Sequence, residues 1–217
     1  MTGSTGPRPA RLVVVAGTGT GVGKTWAAAR LLVEARARGL VVAARKPVQS
    51  HDEDAAPEGT DAAVLAAASG EPDAGVVCPA HRDYARPLAP PMAAAVLGRP
   101  SIGLDDLVAE TTWPEGVDLG VVETVGGVRS PVADDGDSGD LARRLAPDGV
   151  VLVADAELGT INATRLSVEA LAPLPVVVLL NRFDPEIDLH RRNRAWLADR
   201  DGLIVVVDPT DLLLTLS

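Results

Sequence analysis

The sequence predicts an α/β fold: a mostly parallel central sheet of six to seven strands, with helices on both faces in three layers, α/β/α. Three observations predict it. First, 47% of the 217 residues are hydrophobic but only 2% are aromatic, so the core is built from Val, Leu and Ala. Strands buried on both faces of a parallel sheet read as such aliphatic runs. Second, aliphatic runs and helical stretches alternate, which implies parallel strands joined by right-handed crossovers. Third, the carboxyl ends of the runs carry Gly17, Lys46, Glu123, Asp155, Asn181 and Asp208. Ligands of open α/β sheets bind along that rim.

The strands are read at residues 12–16, 40–45, 119–123, 150–155, 176–180 and 203–207, and the helices at 24–38, 60–68, 138–145, 162–171 and 188–198. Gly39 follows "VEARAR", where a left-handed helix cap is expected. Residues 71–118 break the rhythm with the proline-rich "PAHRDYARPLAPPMAAAVLGRP". Long insertions at the rim of a domain are usually functional loops or covers. With no internal repeat or low-complexity linker, residues 11–217 read as a single domain and residues 1–10 as a flexible leader.

The net charge of −10 argues against nucleic acid as a partner, since a binder needs a basic stripe to displace counterions. A single cysteine, Cys78, leaves no internal disulfide and no cysteine-rich zinc site. No apolar run approaches the roughly 20 residues of a membrane span. The opening "MTGSTGPRPAR" lacks the hydrophobic segment of a secretory signal, so the expected location is cytoplasmic.

The stretch "VVVAGTGTGVGKTW", residues 13–26, carries the chemistry. The usual phosphate-binding loop has a glycine five positions before its last glycine. Counting back from Gly23 reaches Thr18, and the nearest upstream glycine is Gly17, one residue further. The loop therefore holds an extra residue without losing a phosphate-contacting part. Backbone N–H groups of Gly19, Thr20, Gly21, Val22 and Gly23 converge on an anion at the start of the next helix. Lys24 places a charge on the β- and γ-phosphates and Thr25 offers its hydroxyl to Mg²⁺. Strand, turn and helix in this order make the chain P-loop NTPase-like; the bland alternative is a glycine-rich turn with a capping threonine.

Other rim residues admit two readings each. Lys46, in "ARKPVQS", is either a surface lysine before a turn or a second cation on the transferred phosphoryl group. Asp61 is either a favourable charge at a helix N-terminus or a metal ligand. Glu123, at a strand tip facing the loop, holds Mg²⁺ directly or through water, or is an incidental turn glutamate. Gly126 and Gly127 let the backbone pass close to a substrate. The helix start after Gly159, near Asn162, is an ordinary cap or a carboxylate site. Asn181 reads a base edge or simply occupies a turn. His51, His81 and His190 show no metal-ligand spacing, and Trp26, Trp113 and Trp196 read as packing residues on amphipathic helices.

Taken together, "GTGTGVGKT", "KPVQS", "GTDAAVLAAASG", "YARPLAPPMAAA", "VVETVGGVRSP", "LGTINATRLSVEAL" and "LLNRFD" resemble the dethiobiotin synthetase family in order and approximate spacing, over about residues 11–185. That family's loop has the same extra residue. The resemblance implies a homodimeric ligase with ATP as co-substrate (another nucleoside triphosphate is compatible), Mg²⁺ as cofactor, and a diamino acid and CO₂ as substrates. It implies that Lys24, Lys46 and Thr20 neutralise the γ-phosphoryl group, and that Thr25, Asp61 and Glu123 coordinate Mg²⁺. Ser50 then sits beside the carbamate, the Gly126–Gly127 turn lines the diamine site, and Asn181 faces the base. Leu158, Gly159 and Asn162 of the partner subunit receive the substrate carboxylate. Gly19 and Gly21 stand where many members carry acidic residues, and Thr124 and Val125 add bulk to the usual Glu-Gly-Ala-Gly-Gly.

Two other classes share the loop. A partitioning ATPase carries a second lysine five residues before the loop lysine, where this chain has Gly19. An amidotransferase-type ligase adds a glutaminase with a cysteine nucleophile, for which the chain has neither length nor a suitable cysteine. A related ligase acting on another amine is the remaining alternative.

Overall fold

Along the first strand, β1 (Arg11–Gly17), Leu12, Val14 and Ala16 enter one buried cluster while Val13 and Val15 enter another. Side chains alternate across a strand, so both faces of this strand are covered. The computed structural model describes residues 7–216. After β1 come α1 (Lys24–Ala37), β2 (Val42–Arg45), the short β3 (Gln49–Ser50), α2 (Asp61–Ser69), α3 (Ala74–Val77), β4 (Asp83–Tyr84), α4 (Pro90–Val96) and α5 (Leu104–Glu110). The second half holds β5 (Leu119–Glu123), β6 (Pro131–Ala133), β7 (Gly136–Asp137), α6 (Ser138–Leu145), β8 (Gly149–Asp155) and α7 (Thr160–Leu171). It ends with β9 (Val176–Asn181), α8 (Asp188–Ala195), β10 (Ile204–Val206) and α9 (Leu212–Thr215).

Six strands form one sheet in the order β10-β9-β8-β1-β5-β2, and every pairing in it is parallel. One face packs on α1, α2 and α9 through residues such as Ala28, Leu31, Leu65 and Leu212. The other packs on α4 to α7 through Ala93, Leu107, Leu141 and Leu171. This is the expected three-layer α/β/α arrangement. β3 pairs with β4 and β6 with β7, both outside the main sheet. The insertion between α2 and β5 supplies β4, α4 and α5 and covers the rim. No helix among the described residues is long and apolar enough to cross a membrane.

Several boundaries move for identifiable reasons. Gly39 adopts φ 83° as the expected left-handed cap. The cap then uses Leu40, whose N–H donates to Ala35 O at 3.1 Å, so β2 starts at Val42 rather than at residue 40. Helix α7 starts two residues before the expected 162, where the Thr160 hydroxyl donates to Asp155 O at 2.7 Å. Helix α8 stops at Ala195 and continues as a wider turn over Trp196–Arg200. Trp26 and Trp196 are 47% and 46% exposed rather than packed, whereas Trp113 packs against the core as expected but from a loop, under Arg45, rather than from a helix. Of the expected leader, residues 1–6 lie outside the described residues. Ala10 N–H already donates to Val117 O at 2.8 Å, and Arg8 Nη2 donates to Ala146 O at 2.9 Å.

Candidate active site

The phosphate loop leaves β1 at Gly17 and ends at Gly23, the N-cap of α1, with φ 99°. A Cβ at Gly23 would fall 2.2 Å from Asn181 Nδ2, so glycine is needed both for the left-handed backbone and for the close approach of β9. Asn181 Nδ2 donates to Val22 O at 2.8 Å and Arg182 Nη2 to Gly21 O at 3.0 Å. These bonds brace the loop from the side. Lys24 Nζ donates to Gly19 O at 2.9 Å, folding the lysine back along the loop.

Beside the loop lies a cleft of about 580 Å³. On its wall four side chains meet. The Thr25 hydroxyl lies 2.7 Å from Asp61 Oδ1 and 2.9 Å from Glu123 Oε1. Lys46 Nζ lies 2.8 Å from Glu123 Oε1, 2.7 Å from Asp61 Oδ2 and 3.2 Å from Thr124 O. Each residue is delivered by a strand or helix end: Glu123 closes β5, Lys46 follows β2, and Asp61 opens α2. Thr60 caps α2, and Gln49 Oε1 accepts from Ala62 N–H at 3.0 Å.

Charge is concentrated here. Lys46 is 1% exposed. Burial pulls its ammonium down, but the facing Glu123 and Asp61 carboxylates outweigh that and raise it, so it stays charged. Burial pushes the Glu123 carboxyl up, and Lys46 opposes the shift. Burial would also raise Asp61, yet Lys46 and Thr25 hold it below the usual carboxylate range. Lys24 falls to about 8, first through burial and then through Lys46. Glu123 Oε2 is buried with no hydrogen-bond partner among the described residues. That orphaned oxygen, with Thr25 Oγ1 and the Asp61 carboxylate, makes a hard oxygen donor set that fits Mg²⁺.

The substrate end of the cleft is built from turns. Ser50 Oγ donates to Leu88 O at 2.7 Å. Gly126 has φ 58°, and Gly127 N–H donates to Ser130 Oγ at 2.9 Å. A Cβ on Gly127 would sit 3.1 Å from Thr18 O, so this turn lies directly on the phosphate loop. Thr124 is buried with its hydroxyl 3.4 Å from Val15 O, so its added bulk turns into the sheet, whereas Val125 lines the cleft.

The structure brings together Thr20, Gly21, Gly23, Lys24, Thr25, Lys46, Ser50, Asp61, Glu123 and Gly126 around one cleft. It does not bring Leu158, Gly159 and Asn162 there. Leu158 is 87% exposed and Gly159 caps α7. Asn162 lines a neighbouring groove with Gly19, Thr20, Gly127 and Leu166. Asp155 accepts from Glu157 N–H in a local turn, and Asp208 accepts from Thr210 N–H as the cap of the short turn that follows it. Sequence reasoning missed Ser130 and the pair that follows "KPVQS", His51 and Asp52, all of which line the cleft. His51 Nδ1 faces Asp52 O and Nε2 faces Asp83 Oδ1, each at 2.8 Å. A backbone carbonyl on one side and a carboxylate on the other favour a hydrogen on each ring nitrogen. Burial lowers the imidazole, but these partners prevail and raise it.

A parallel α/β sheet with this loop, its lysine and its facing carboxylate defines a P-loop nucleotide-binding protein. A family model described as an AAA domain matches residues 11–198. Two solved structures share the fold: a plasmid partition protein from Borrelia burgdorferi (TM-score 0.57, 13% identity, 96% of this chain and 99% of that one) and the signal recognition particle receptor FtsY from Elizabethkingia anophelis (TM-score 0.56, 15% identity, 98% and 67%). Curated relatives narrow the class. An ATP-dependent dethiobiotin synthetase of Caulobacter vibrioides is 44% identical over 72% of each chain. Those of Anaeromyxobacter dehalogenans and of an Anaeromyxobacter species are 42% identical over 90% of this chain and 89% of theirs, and 37% identical over 93% and 92%. The chain belongs to the dethiobiotin synthetase family.

Proposed function

We propose that the chain converts 7,8-diaminononanoate, CO₂ and ATP into dethiobiotin, ADP and phosphate. The observation that carries this reading is the Lys46–Glu123–Asp61–Thr25 cluster beside Lys24, built on the buried Lys46–Glu123 pair, on a chain whose curated relatives are dethiobiotin synthetases. One substrate amine takes up CO₂ as a carbamate and releases a proton. A carbamate oxygen attacks the γ-phosphorus and ADP leaves. The second amine attacks the carbamoyl carbon of the mixed anhydride; the C–O bond breaks, phosphate departs with its electron pair, and the cyclic urea closes. A carbamate is already a nucleophile, so positioning and electrostatics can carry most of the barrier reduction.

Lys24, Lys46 and Thr20 offset charge on the phosphoryl group in transfer, and the backbone of residues 19–23 cradles the phosphates. Ser50 and the Gly126–Gly127 turn position the carbamate and the diamine. Thr25, Asp61 and Glu123 would hold Mg²⁺, which when bound supplies charge neutralisation at the phosphates. Asn181 supports the nucleotide through the loop that it braces. The functional unit is a homodimer in the cytoplasm, in which Leu158, Gly159 and Asn162, at the start of α7, approach the partner's cleft. Exposed Leu158 and Leu166, 87% and 59% accessible, support α7 as the paired face. Sedimentation of Leu166→Glu should show monomers where the native chain shows dimers. The central test supplies 7,8-diaminononanoate, bicarbonate, Mg²⁺ and a panel of nucleotides and reads the cyclic urea by mass spectrometry. No product with any nucleotide sinks the assignment.

A further inference from the structure

Three carboxylates line the cleft: Asp52, Asp61 and Glu123. Two of them are engaged with Lys46 and Thr25. The Asp52 carboxylate is exposed at the cleft, with no ion pair or hydrogen bond among the described residues. The nearby Arg86 pairs with Glu53 instead.

The position of Asp52 is fixed through its backbone. Its carbonyl accepts from His51 Nδ1 at 2.8 Å and from Ala55 N–H at 3.1 Å. His51 is itself tied twice to β4, through Nε2 to Asp83 Oδ1 at 2.8 Å and through its N–H to Tyr84 O at 3.0 Å. Tyr84 is 1% exposed, so the clip rests on the core. The Asp52 backbone is thereby held in the cleft lining with Ser50 and the apolar wall of Pro87, Leu88 and Ala89, and its carboxylate has only the neighbouring His51 imidazole as an electrostatic partner.

The amines of 7,8-diaminononanoate sit on adjacent carbons, so one is ammonium at neutral pH as a lysine side chain is, and its charge makes the other easier to deprotonate. One must lose its proton to take CO₂; the other arrives charged. Lys24 and Lys46 repel that charge, and Asp61 and Glu123 are already engaged by Lys46 and Thr25. Resting on the substrate reading above, we propose that Asp52 is a specificity-determining residue. It accepts the ammonium of the amine that is not carboxylated first, and so selects diamines over monoamines.

The test compares native enzyme with Asp52→Asn and Asp52→Glu. It measures KM and kcat for the diamine, KM for ATP, and inhibition constants of two analogues, each with one amine replaced by hydroxyl. In Asp52→Asn the diamine KM rises about tenfold, while kcat and the ATP KM stay within about threefold. The native preference for diamine over the hydroxyl analogue that lacks the ammonium falls toward unity, and Asp52→Glu recovers part of it. A diamine KM within about twofold of native overturns the proposal, as does an equal loss for diamine and both analogues, which marks a purely structural role. Absence of native turnover removes the substrate reading and this proposal with it. Native turnover with an unchanged Asp52→Asn removes the proposal alone.

Discussion

Replacing Lys46 with Met removes an ammonium that is 1% exposed while keeping most of its aliphatic stem. Three contacts go with it, to Glu123 and Asp61 at 2.8 and 2.7 Å and to Thr124 O at 3.2 Å. The two carboxylates suffer differently. The Asp61 side chain is 42% exposed and regains water, whereas that of Glu123 is 0% exposed and is left stranded. Breaking a buried pair from one side costs about 3–5 kcal/mol. Asp61's access to water puts this case at the lower end, roughly 3 kcal/mol. For a domain of this size that lowers Tm by about 6–12 °C and leaves the chain folded. Turnover falls more, by about a hundredfold to a thousandfold, the usual effect of deleting one preorganised charge partner of a transition state. Nucleotide binding changes little, because Lys24 is held by its own bond to Gly19 O at 2.9 Å. The assays are cyclic-urea formation, thermal unfolding and calorimetric nucleotide binding. Lys46→Met combined with Glu123→Gln separates the effects: stability returns because no charge is stranded, while activity does not. Turnover of Lys46→Met within tenfold of native refutes the placement of Lys46 on the phosphoryl group. A double variant no more stable than the single one refutes the energetic account.

Asn181→Ala removes the donor to Val22 O and weakens every nucleoside triphosphate by a similar factor, about fivefold for one net hydrogen bond. Loss confined to one base, in binding titrations across a nucleotide panel, would contradict the loop-bracing role. Cys78 is buried, and burial, with Asp83 adding to it, pushes its thiol up to about 12 from 9.0. Native Cys78 therefore reacts with a soluble disulfide reagent at pH 8 about a thousandfold more slowly than the unfolded thiol; comparable rates with and without urea would disprove this. The folded thiol holds its proton more tightly, so this contribution to stability is complete below about pH 9 and fades as pH rises toward 12. Cys78→Ala lacks that part of the alkaline decline.

The main sheet was legible because each strand is an uninterrupted aliphatic run, and Lys46 and Glu123 because they sit one step past such runs. Asp61 was legible only as one of two readings, since a helix N-terminus attracts an acid whether or not a metal is near. Asn181 shows where local reading stops. Its partner, Val22 O, is 159 residues away, and nothing in "LLNRFD" says that the amide points toward the loop rather than toward a base. His51 and Asp83 are 32 residues apart and meet only because β3 pairs with β4. No spacing rule covers a two-residue strand. Leu40 was assigned to a strand on its aliphatic character, but the helix cap claimed its N–H, and backbone hydrogen bonding outranked side-chain type.

The charges of the cleft explain how a chain with a net charge of −10 is suited to a polyanionic co-substrate. Lys24 and Lys46 are both buried, and their mutual repulsion adds to the burial that brings Lys24 to about 8. Phosphate bound in the loop beside Lys24 would offset this penalty and favour the fully charged lysine. The loop reinforces this locally. Gly19 and Gly21 add no carboxylate beside the phosphates, and Gly21, at φ 76°, accommodates a backbone that strains other residues. Negative charge sits instead on Asp61 and Glu123, where Lys46 offsets part of it, and on Asp52 in the cleft lining. The cleft thus sets two lysines beside the glycine-rich loop and an exposed aspartate further along its lining, although the protein as a whole is acidic. Local geometry, not overall field, sets which ligand goes where.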